Sequence, residues 1–148
     1  MERIERGMEA QVWSRVMGPP EAQREDVRSL LLTAWEAASV YRHLTGLLTG
    51  MSREQAKKLQ NRAMESVAAL KGLQLLSGSQ PGKLLPVPIP KEPARRLLEK
   101  SFFRAKQLMT EYTARALDPE LGVVYQQLAD RERQNSIALA ELLGALEK

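Results

Sequence analysis

Apolar positions recur along the chain at intervals of four and three, the spacing that keeps one stripe of a helix facing a common core. Residues 1–17 carry Ile4, Met8, Val12 and Val16 with Trp13 and Met17 alongside, which predicts a short amphipathic helix ended by Gly18, Pro19 and Pro20. A second helix is expected over Glu25–Leu48, its seam formed by Val27, Leu31, Ala34, Ala38, Tyr41, Thr45 and Leu48. A third is expected to open on a capping box at Ser52–Gln55 and to run to about Ser77, with Gly78 as its stop and Ala56, Leu59, Ala63, Ser66, Leu70 and Leu73 as its seam. A fourth spans Pro93–Leu117, with Leu98, Phe102, Ala105, Met109, Tyr112 and Ala116 facing inward. The last opens with Asp118 as a side-chain N-cap and Pro119 at the first helical position, where the missing N–H costs nothing.

Between the third and fourth of these helices, GSQPGKLLPVPIPKE at residues 78–92 holds four of the eight prolines and is not helix. In polyproline-like extension at ~3.1 Å per residue, a dozen such residues cover about 35 Å, close to the length of a 20-residue helix. The loop is therefore long enough to climb a whole bundle. A flexible linker or an SH3-type ligand is the rival reading, and the interleaved Leu84, Leu85, Val87 and Ile89 favour a strap packed on the helices. The expected architecture is all-α. One domain, residues 21–148, is an up-down four-helix bundle with one long Pro-rich crossover between its second and third helices, preceded by the N-terminal helix of residues 1–20. That extra helix packs over its own core or reaches a second subunit, with Trp13 as anchor.

The chemical anomaly lies in the last helix. Leu121, Tyr125, Leu128, Glu132, Asn135, Leu139, Leu142 and Leu146 form its seam, and a carboxylate and an amide one turn apart interrupt it. Buried unpaired, the amide costs roughly 1 to 3 kcal/mol and the charge more. Both groups therefore require answers from other helices. Tyr41, Asn135 and Tyr112 are the candidate donors to Glu132, the alternative being that Glu132 stays protonated in an apolar site. Glu132, Asn135, Tyr41 and Tyr112 are together the expected buried polar cluster.

The segment LDPELGVVYQQLADRERQNSIALAELLG resembles the last helix of rubrerythrin-like members of the ferritin-like superfamily. The resemblance implies a bundle holding two metal ions through a Glu-x-x-His motif on each of two helices and a single glutamate from each of the other two. Glu132 stands at the ligand glutamate, and Asn135 stands where the histidine belongs. By the same resemblance the first-helix glutamate falls seven residues before Tyr41, at Ala34. Glu36 is about 160° around the helix from Ala34 and points to solvent. On the second helix of the bundle the motif region reads Asn61-Arg62-Ala63-Met64-Glu65-Ser66, with neither acid nor imidazole on the seam. Glu65 is expected to pair at the surface with Arg62 or a nearby lysine. The third-helix glutamate falls near Phe102, whose ring is expected to fill the space of the two metals. Glu99 is one turn earlier, and Glu111 lies on the flank of the same helix. Glu132 is thus the main candidate ligand, with Glu65, Glu99 and Glu111 as weaker ones.

Composition narrows the chemistry further. The chain has no cysteine, which removes disulfides, thiolate metal sites and a rubredoxin-type iron centre. Its only histidine, His43, follows Tyr41 by two and falls on the outer face. The 22 basic and 18 acidic residues are mixed along the chain, and no nucleic-acid module, phosphate loop or nucleophile with its base is present. No run approaches ~18 apolar residues, and MERIERGMEAQVW lacks the layout of a secretory signal, so a cytoplasmic protein without a membrane segment is expected. Two functions follow. The leading one is a structural or interaction scaffold, a symmetric homodimer that needs no cofactor and holds a protein partner. The alternative is a rubrerythrin-like protein acting on peroxide or oxygen, or handling iron, through a pair of iron or manganese ions bound mainly by carboxylates.

Overall fold

The structure is a computed structural model that describes residues 21–147, with side chains from Val27 onward; the expected helix of residues 1–20, including Trp13, lies outside them. Four helices make up the regular structure among the described residues: α1 (Glu21–Leu47), α2 (Gly50–Leu76), α3 (Ala94–Arg115) and α4 (Gly122–Leu146). None of them is long and apolar enough to cross a membrane.

The helix boundaries follow from local chemistry and shift some expectations. α1 and α2 are joined by Leu48 and Thr49 alone, and Gly50 takes a left-handed φ of 60° that reverses the chain. The second helix therefore begins two residues before the expected capping box. Ser52 lies inside it, and the Gln55 side chain donates to Glu141 Oε2 at 2.7 Å on another helix. At the other end Gly78, at φ 82°, lets the chain leave α2 while Ser77 and Ser79 N–H groups close onto the Leu73 and Gln74 carbonyls. Asp118 is not the N-cap of the last helix, and Pro119 is not its first residue: the Asp118 Oδ1 accepts from the N–H groups of Glu120 and Leu121, both at 2.8 Å, and closes a turn ahead of the helix, whose N-cap is Leu121. Regular α-helix starts only at Gly122, after that turn.

α1 packs on α2 and α3 on α4, and the two pairs join through α2 with α4 and α1 with α3, leaving α2 and α3 on a diagonal. Cross-helix pairs fix the directions. Gln55 meets Glu141, Arg62 meets Asn135 and Glu65 meets Arg131, so α2 and α4 are antiparallel in a single register. The core falls into two clusters: one gathers Ala37–Leu48 of α1 with Leu97 and Leu98 of α3, and the other gathers Val27–Ala34 with Leu108 and Tyr112. Numbers rising on one helix and falling on the other make α1 and α3 antiparallel as well.

The Pro-rich connection climbs alongside α1. Arg28 Nη1 donates to the Pro81 carbonyl at 3.2 Å, Trp35 Nε1 donates to the Leu85 carbonyl at 2.8 Å, and Ile89 packs on the cluster around Tyr41 and Leu44. The segment is thus a strap and not a free linker. Of its four apolar residues, Leu84, Val87 and Ile89 are half-buried, while Leu85 turns outward at 68% exposure.

The expected seams of α2 and α4 are buried, the terminal Leu121 and Leu146 excepted; on α3 the expected Leu98, Ala105 and Tyr112 are buried, while two interior positions differ. Ser101 and Leu108 face the interior in place of Phe102 and Met109, which are half-buried on the flank. Phe102 stacks edge-on against Phe103 at 6.0 Å beneath the Lys106 ammonium, so its ring does not fill the centre of the bundle. On α1 the interior position near the C-terminus is Leu44 and not Thr45.

Candidate functional site

Between the two apolar clusters lies a polar layer. On α4, Tyr125, Leu128 and Ala129 belong to one cluster and Ala138, Leu139 and Leu142 to the other. The buried Glu132, Asn135 and Ser136 stand between them. α2 contributes Ser66 at the same level, between Ala63 of one cluster and Val67 of the other. The buried residues Ala34, Ala63, Ala105 and Ala129, one from each helix, are small.

Glu132 is 2% exposed, and its Oε2 has no protein partner. Burial pushes its carboxyl up from an ordinary 4.5 to about 7. The Asn135 amide and then the Arg104 and Arg62 cations pull it part of the way back. The amide favours the charged form although its Nδ2 stops short of a well-formed hydrogen bond. Asn135 Oδ1 is answered from across the bundle: Arg62 Nε on α2 donates to it at 2.7 Å. Arg104 on α3 donates through Nη2 to Glu36 Oε1 at 3.0 Å, while its Nη1 is buried without a protein partner.

Tyr41 and Tyr112 are fully buried, and both hydroxyls are pushed well above the usual phenol range, first by burial and next by the Glu132 charge. Tyr112 does not donate to Glu132, since its hydroxyl has no protein partner. Of the two expected fates for Glu132, the protonated one is favoured below neutrality.

The remaining candidate ligands lie elsewhere. Glu65 is solvent-exposed and pairs with Arg131 Nε at 3.3 Å, not with Arg62. Glu99 is held by Arg95 and Arg96 at 3.2 and 3.5 Å, and Glu111 is exposed beside Tyr112. Glu36 lies outward on α1, tied to Arg104, and His43 is exposed on the same helix. Among the described residues no group of three or more histidines or acids converges. A pair of metal ions needs several anionic or imidazole donors at short range. One carboxyl with an uptake pKa near neutrality, an amide already engaged by Arg62 and two nearby guanidinium groups do not fit that requirement.

Arg62 and Arg104 are the residues that sequence reasoning missed. Each has its backbone on the flank of a helix and reaches inward with a long side chain, so neither interrupts an apolar seam. The available signal was position: Arg62 immediately precedes Ala63, and Arg104 immediately precedes Ala105, both seam residues. With this geometry described, comparison with protein-family models, curated proteins and solved structures finds no match to the chain.

Proposed function

We propose that this chain is a ferritin-like four-helix bundle whose centre is a charge-balanced polar layer in place of a di-metal site, and that it serves as a structural or interaction scaffold. The diagonal placement of α2 and α3 and the long strap joining them support the fold reading, because that connectivity has one long crossover flanked by two short turns. The bond from Arg62 to Asn135 carries the functional reading. It uses the amide oxygen at the position where the resembling family places an imidazole. Together with Arg104 it also brings positive charge toward Glu132, which opposes the entry of a divalent cation.

A symmetric homodimer goes with this proposal, pairing across a face of the bundle. The test is elemental analysis after incubation with ferrous iron, manganese or zinc, on the purified chain and on Glu132→Gln. Background metal in both proteins is the expected result. About two equivalents of iron or manganese per chain, lost in the variant, would overturn the proposal and make peroxide turnover the next assay. Mass measurement at micromolar concentration checks the dimer, and a monomer would remove that part.

A further inference from the structure

A groove of about 650 Å³ runs between α1, α2 and the strap, well away in character from the central polar layer. Its floor and strap wall are largely apolar, with Trp35, Val87 and Ile89 among the lining residues. One rim is different. Arg42 and His43, consecutive on α1, line it, and no acidic side chain does. Arg42 makes no ion pair with another described residue. The nearest α1 carboxylate in sequence, Glu36, is drawn to Arg104 on α3. The groove also has a fixed wall, because the Trp35 indole donates to the Leu85 carbonyl at 2.8 Å and ties the strap to α1.

We propose that this groove binds a small amphipathic carboxylate, its hydrocarbon chain along the strap residues and its carboxylate on the Arg42 guanidinium. Size supports a small molecule, since ligand sites usually measure ~300–1,000 Å³. Charge selects the anion: a guanidinium offers two parallel N–H donors to a carboxylate, and no lining group repels it. Gly46 offers a position at which to test the groove. It lies on the lining, and a Cβ built there meets nothing within 4 Å. A larger residue at 46 therefore adds bulk at a lining position without displacing the backbone.

The probe is decanoate, titrated calorimetrically into the full chain, with decyltrimethylammonium as a cation of equal chain length. The wild type should bind decanoate at least about tenfold more tightly than the cation. Arg42→Gln should abolish that preference, and Gly46→Leu should weaken decanoate by about tenfold or more. Gly72→Leu is the control. It makes the same substitution in α2 at a site where the added Cβ also meets open space, off the groove, and should bind as the wild type does. Circular dichroism of each variant establishes that it is folded. Equal affinity for anion and cation, decanoate binding that survives Gly46→Leu, or no binding at millimolar decanoate would each overturn the proposal.

Discussion

Replacing Glu132 by glutamine should make the protein more stable at pH 8 and leave it nearly unchanged at pH 4.5. The reasoning is proton linkage. Between pH 4.5 and about 7 the folded chain still holds a proton on Glu132 that the unfolded chain has released, so folding takes up a proton. Each rise in pH through that window therefore costs stability. The contribution is fully present below 4.5 and is lost once the pH passes about 7. At about 1.4 kcal/mol per pH unit, the loss between those limits is about 3 kcal/mol. Glutamine keeps the shape and carries no proton to lose. The effects of Asn135 and the two arginines on the charged form are already contained in the value of about 7, so the gain at pH 8 should equal that loss, about 3 kcal/mol. With a urea m-value of ~1–3 kcal/mol/M, that moves the midpoint by roughly 1–3 M. Urea unfolding of both proteins at pH 4.5, 6, 7 and 8 measures it. The difference between the two curves cancels the titration of surface groups common to both. Parallel curves, with the same midpoint difference at every pH, would refute the assignment of a near-neutral proton to Glu132. A loss of several kcal/mol in the variant at pH 8 would show that the ionised carboxylate is a structural partner.

Arg62→Ala should leave the buried Asn135 Oδ1 without a donor, costing about 1–3 kcal/mol in urea unfolding. It should also raise the Glu132 midpoint further, because a cation that favours the charged form is gone; carbon NMR of the carboxyl reads this directly. Gly122→Ala should cost about 1–3 kcal/mol, since a Cβ there would collide with the Ala116 carbonyl oxygen, a backbone atom that has to move; thermal unfolding shows it. Trp35→Phe removes the indole donor to the Leu85 carbonyl, with a cost of about 1 kcal/mol, and should speed hydrogen exchange and proteolysis selectively in the strap.

The all-helical bundle was legible because its burial is periodic: on α2 and α4 the residues at four-and-three spacing lie in the core. On α3 the same rule found Leu98, Ala105 and Tyr112 but chose the wrong neighbour at two positions. Phe102 is the more apolar choice beside Ser101, but next to the buried alanines there is room for a serine and not for a phenyl ring. Transfer free energy alone favours the larger side chain, and packing volume decides against it. Glu132 and Asn135 were legible for the opposite reason, as polar residues in an unbroken apolar stripe. Their partners were not, because an arginine on a helix flank looks like a surface residue until the neighbouring helix is in place.

The polar layer also explains why the helices hold one alignment. Leucine against leucine is nearly as good one turn away, so an apolar seam by itself tolerates a slide of α4 along α2. The cross-helix polar contacts do not. A shift of one turn would part Asn135 from Arg62, Arg131 from Glu65 and Gln55 from Glu141 together, and would leave the Asn135 amide oxygen buried without its donor. The two outer pairs are solvent-exposed and contribute little each, so the central bond carries most of that selectivity. An interior carboxyl that weakens the fold at neutral pH and an amide tied across the bundle are in this view one device: the layer costs stability at Glu132 and spends it on register.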